Sequence, residues 1–241
     1  MSSPIASLKE AKDYFAELPP QIESHLDEAY RKPFANLIDA FEQYFNVLAS
    51  INIQANENRL ISSTEATHLG EHGFVLLLQA IDLMDKLELP HKRREIEQVS
   101  LIFARWILRY NGRIIHLEPV VNACAQLANL LQDKKTLKIL FGLMTEIADS
   151  CSTEIKQDLE PGSNQLRPWR LLQINRSIVA TRSQDPDMMR SAFDELLTHL
   201  PYEADGFFAE GMKEMEALDY PEHVRDLMAF YHTQKPSMSM H

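Results

Sequence analysis

Apolar residues recur three and four positions apart along nearly the whole chain, from about residue 4 to residue 232, with almost no strand-like alternation. Each segment therefore carries one apolar stripe at the helical period, and the chain is predicted to be all-α, its stripes buried against one another. Ser3 and Pro4 supply a cap and first turn for a helix bearing Ile5, Leu8, Ala11, Phe15 and Leu18, which Pro19 and Pro20 are expected to stop. A short helix to Tyr30 follows, bounded by Pro33. Phe34, Leu37, Ile38, Phe41, Phe45 and Leu48 trace a core helix, and the Asn-rich stretch 50–60 after it is polar. Ser62 with Glu65 forms a capping box that opens a helix to about Leu87, closed by Leu89 and Pro90.

From His91 to Tyr110 a helix turns Ile96, Val99, Phe103, Trp106 and Tyr110 inward, and Asn111-Gly112 ends it. Glu118-Pro119 starts the next, with Val120, Cys124, Leu127, Ala128 and Leu131. One carrying Leu137, Leu140, Phe141, Met144, Ile147 and Cys151 comes almost at once, so these two are expected to be antiparallel neighbours. The run Leu159 to Asn164, with Pro161 and Gly162 inside it, is the strongest loop signal. It places a boundary between an N-terminal bundle, 1–160, and a C-terminal subdomain, 161–234. Four shorter helices are expected there, near 168–182, 186–200, 202–218 and 221–232. The tail, 235–241, offers nothing to pack and is expected to be disordered.

Composition narrows the class. With 241 residues, 45% of them hydrophobic, the chain can bury a core without disulfides or metals. Cys124 and Cys151 lie on apolar stripes in no CxxC pattern, as structural thiols of a reducing compartment do. No basic stretch followed by an apolar run opens the chain, and runs such as Phe74 to Leu78 are too short to cross a bilayer; a cytoplasmic location is expected. The net charge of −11 argues against nucleic acid and anionic membrane as partners. The charge is uneven, −8 over 1–90, +4 over 91–116, −3 over 117–165, +4 over 166–182 and −8 over 183–241.

Asp185, Pro186, Ala192, Leu196 and Pro201, preceded by a helix with Leu172, Asn175 and Val179, resemble one tetratricopeptide repeat, covering about residues 168–201. No 34-residue period extends beyond it. The resemblance implies a stack of helix pairs, an α–α superhelix, with a groove for a peptide-like partner. The same stripes also suit an irregular helical bundle without a groove.

Three constellations have chemistry in them. His68, Glu71 and His72 stand in the HxxEH order of the inverzincin metallopeptidases, which they resemble. Histidines four apart share a helix face and can ligate zinc, with Glu71 as base and Glu146 as a distant third ligand. That family's α/β fold has no counterpart here, and the competing reading is a solvated first helical turn. Glu65 with His68 makes an ExxH pair, which a di-iron site would need twice, and no good second pair exists. Phosphate loops and nucleophile elbows are absent.

The basic segments are the third. Arg105 and Arg109 share a face, Arg113 follows, and Trp106 and Tyr110 flank them. Arg167, Arg170, Arg176 and Arg182 occur without an intervening acid, beside Trp169. Guanidiniums next to aromatic rings suit carboxylates and phosphates. The alternative is that these arginines pair with the acidic helices. Met188, Met189, Met212, Met215 and Met228 could form an adaptable partner surface, but they fall on helical stripes and read first as core. The expectation is a non-enzymatic binding or adaptor module without a cofactor. Arg105, Trp106, Arg109, Tyr110, Arg113, Arg167, Trp169 and Arg170 would contact a protein or peptide, an acidic one included. A metal-dependent hydrolase built on the HxxEH motif is the alternative, and a self-associating helical protein the third reading.

Overall fold

The computed structural model describes residues 7–56, 61–156 and 167–234. They form helices joined by short links, with no strand among the described residues. The fold is all-α. In order the helices are α1 (Leu8–Ile22), α2 (Glu28–Asn56), α3 (Ser63–Lys86), α4 (Pro90–Arg109), α5 (Leu117–Leu130) and α6 (Lys134–Ser150). A four-residue turn of helix, α7 (Thr153–Lys156), precedes α8 (Pro168–Ser183), α9 (Pro186–His199), α10 (Pro201–Ala217) and α11 (Glu222–Thr233). No helix is long and apolar enough to cross a membrane among the described residues.

Local signals set most boundaries. The Ser62–Glu65 capping box is present, with Glu65 N–H donating to Ser62 Oγ at 3.2 Å and Ser62 N–H to Glu65 Oε2 at 2.8 Å. Proline occupies the first turn of α4, α8, α9 and α10, where its missing N–H costs nothing. Three prolines act otherwise than expected. Helix α1 continues through Pro19 and Pro20 to Ile22, because Leu18 and Ile22 lie in the core and their burial outweighs two lost amide donors. Helix α2 starts at Glu28, capped by Asp27 Oδ1, which accepts from Ala29 N–H at 2.9 Å and Tyr30 N–H at 3.1 Å. It then runs through Pro33, on the strength of buried Phe34, Leu37 and Phe41. The short helix expected before Tyr30 is a 3-10 turn, Glu23–His25.

The chain divides into two compact units, Met1–Ala123 and Cys124–His241, each with its own core. The expected boundary near residue 160 lies outside the described residues. In the first unit α2 packs on α1 and α3, and α4 on α3 and α1. Phe15 and Phe41 stack at 3.7 Å, and Phe103 meets Tyr44, Phe45 and Phe74 at 5.2, 5.9 and 6.0 Å. In the second unit α6 packs chiefly on α8 rather than on α5, the partner its short link suggests. Helix α9 packs on α8, α10 and α11, with Phe193 among Phe207, Phe208 and Tyr231. Cys124 and Cys151 are buried, and burial raises the Cys151 pKa to about 11, which leaves it unreactive.

Candidate functional site

The two arginine rows have opposite fates. Arg105, Arg109 and Arg113 are exposed in the first unit, and the Arg109 guanidinium lies 5.6 Å from the Tyr110 ring centre. The aromatic residues between them face inward: Trp106 and Tyr110 are 4% and 6% exposed. Both donate to Asn52 Oδ1 of α2, Trp106 from Nε1 at 3.1 Å and Tyr110 from its hydroxyl at 2.8 Å. These rings brace α4 against α2. They are not an outward platform. Elsewhere in that basic segment Arg93 pairs with Asp85 at 3.0 Å and Glu97 at 3.1 Å.

The second row is spent inside its unit. Arg170, 3% exposed, donates to Glu203 at 2.6 Å. Arg176 is fully buried; it grips Glu195 through both Nη atoms at 2.5 and 3.0 Å, donates to Thr145 Oγ1 at 2.9 Å and lies 4.9 Å from the Phe141 ring centre. Arg182 donates to the Ala128 and Leu131 carbonyls, the unsatisfied end of α5. Trp169 is buried against His199, with Lys156 over its ring. Trp169 and Arg170 therefore hold the unit together, while Arg167 stays exposed at the N-cap of α8.

Packing accounts for the glycine inside the HxxEH stretch and for the one just after it. A Cβ at Gly70 would lie 2.2 Å from Ile107 Cδ1 of α4, and one at Gly73 would lie 2.2 Å from the Tyr44 hydroxyl of α2. The glycines let α3 approach both neighbours closely. His68 and His72 are exposed and Glu71 half-buried, on α3; Glu146 is exposed on α6. Among the described residues no three His, Cys, Asp or Glu side chains converge as a metal's ligands.

What stands open is a cleft inside the second unit, about 620 Å³ in volume, between α8 and α10. Helix α8 contributes Ile174, Ile178 and Thr181, and α10 contributes Gly206, Phe207, Gly211 and Met215. Met228 of α11 and Leu218 complete the apolar lining. Ile178 and Leu218 are 40% and 51% exposed, so the cleft opens to solvent through apolar side chains. Its charged groups are Arg182, already on the α5 carbonyls, and Glu203, Glu210 and Glu214. Burial raises the pKa of Tyr220 at one end, Arg182 lowers it and Glu214 raises it again. Two of the methionines assigned to core packing, Met215 and Met228, are buried and yet face the cleft.

Sequence reasoning named Met215 and Met228 and passed over Ile174, Ile178 and Phe207. A signal existed: Ile174 and Ile178 form a second apolar stripe on α8, beside the Leu172 and Val179 stripe that packs the core. The chain matches no family model, no curated protein and no solved structure in comparisons with each.

Proposed function

We propose that the chain is a non-enzymatic helical binding module whose second unit receives a partner in the cleft between α8 and α10. The observation that carries this reading is the open apolar cleft, of a size that encloses ligands or side chains of a partner, roughly 300–1,000 Å³. The tetratricopeptide resemblance supports it, since it implies a groove for a peptide-like partner and one wall of the cleft is α8, the first helix of the pair that bears the motif. The test is Gly206→Trp. Gly206 lines the cleft and a Cβ there meets no atom within 4 Å, so a large side chain starts there without a clash. Wild-type protein should enhance the fluorescence of the neutral apolar dye Nile red, and Gly206→Trp should lose that enhancement while keeping its circular dichroism and melting temperature. Undiminished dye binding by the folded variant would refute the cleft as the site.

A second reading rests on Arg105, Arg109 and Arg113, which are exposed and have no ion-pair partner among the described residues. That row suits an acidic protein or peptide at the first unit, in keeping with the original expectation for this segment.

A further inference from the structure

Resting on the cleft reading, we infer that its occupant is a cationic amphipathic helix of a partner protein, apolar on one face and edged with Lys or Arg. The cleft is elongated. Its lining on α10 runs from Glu203 to Met215, about 18 Å at the helical rise, so it spans more than three turns. A segment of about 12 residues in a partner helix matches that length. The lining alternates by row: Phe207, Gly211 and Met215, four apart, make an apolar row, and Glu203, Glu210 and Glu214 make an acidic row beside it. A helix with an apolar stripe flanked by cations has the complementary pattern.

Two of these charges, Glu210 and Glu214, are available to such a partner. Glu214 makes no ion pair among the described residues, and the Glu210–Lys213 pair, 2.9 Å long, is 65% and 73% exposed and thus weak enough to exchange. Glu203 is held in place by Arg170 at 2.6 Å. Helix α10 as a whole carries five acids, Glu203, Asp205, Glu210, Glu214 and Glu216, against Lys213 alone. An acidic helix would meet repulsion at Glu210 and Glu214, and a cationic one attraction. Met215 and Met228, flexible and polarizable, let the apolar lining adapt to side chains of different shape.

The experiment uses full-length protein and three fluorescent peptides of about 14 residues: a Leu/Lys amphipathic helix, its Lys→Glu counterpart, and a scramble of the cationic peptide with the stripe destroyed. The cationic amphipath should bind, at least about tenfold more tightly than the scramble, and weaken by about tenfold or more between about 50 and 500 mM salt. Glu210→Lys/Glu214→Lys should lose about tenfold or more, and Gly206→Trp should lose binding. Asp205→Lys/Glu216→Lys, the same charge change at exposed α10 positions outside the cleft lining, should bind as wild type. If the two double variants weaken binding equally, attraction to the acidic chain at large explains it and the inference falls. If the acidic amphipath binds as well and Gly206→Trp abolishes both, the cleft reading stands and the cationic partner is wrong. If Gly206→Trp binds the cationic peptide as wild type does, both are wrong. If Nile red binds in the cleft but no peptide does, its occupant is a small apolar molecule, and the inference is overturned.

Discussion

Arg176 shows how a charged side chain serves as core. It falls seven residues after Trp169 and four after Leu172, on the buried face of α8, where an apolar residue would ordinarily stand. It is tolerated there because Glu195, Ser191 and Thr145 accept from its guanidinium and Phe141 covers its plane. Removing one partner of such a pair leaves the other without compensation, so Arg176→Ala should cost about 3–5 kcal/mol of stability. Arg176→Lys, which keeps the charge and loses the fork, should cost less. Chemical denaturation of the full chain measures both, and a loss under about 1 kcal/mol for the alanine variant would contradict the role assigned here. The inward turn of this row was not legible in the sequence. Its carboxylate partners lie 19 residues away for Arg176 and 33 for Arg170, and only tertiary packing brings them together.

Helix boundaries were legible because they are local. Proline in the first turn marks α8, α9 and α10, and the Ser62–Glu65 box marks α3, so those starts agree with expectation to within about a residue. Pro19, Pro20 and Pro33 misled because their cost, about 3 kcal/mol each in a helix interior, is local while the burial that outweighs it is not. The pairing of α6 with α8 was hidden for the same reason, and the cleft depends on a face of α8 that one stripe per helix does not account for. Helix glycines divide along the same line. Gly73 admits no Cβ, which would lie 2.2 Å from the Tyr44 hydroxyl and 2.4 Å from its ring, whereas nothing lies within 4 Å of a Cβ at Gly142 on α6. Gly73→Ala should therefore destabilise by about 1–3 kcal/mol through overpacking against a rigid ring. Gly142→Ala should stabilise by about 0.5–1 kcal/mol through helix propensity alone. Thermal melts of the two variants side by side check the sign, and two shifts in the same direction would count against this account of α3 packing.

At the scale of the whole molecule, 35 acidic residues against 24 basic ones leave a net charge of −11, and the fold determines which cations remain to face solvent. The second unit uses Arg170, Arg176 and Arg182 on its own carboxylates and carbonyls. The first unit turns Arg105, Arg109 and Arg113 outward. Reversing one arginine in each row separates the roles. Arg109→Glu changes an exposed site whose only aromatic contact among the described residues is the Tyr110 ring, so it should cost about 0.5–1 kcal/mol at most. Arg170→Glu sets a carboxylate against Glu203 in a site 3% exposed and should lower the melting temperature by many degrees or prevent folding. If the outward row meets an acidic partner, Arg109→Glu should also weaken capture of a poly-glutamate peptide, with wild-type binding that declines as salt rises. A folded Arg109→Glu variant that binds poly-glutamate as wild type does would remove the acidic-partner reading, and an Arg170→Glu variant that melts as wild type does would mean that the second row is not structural.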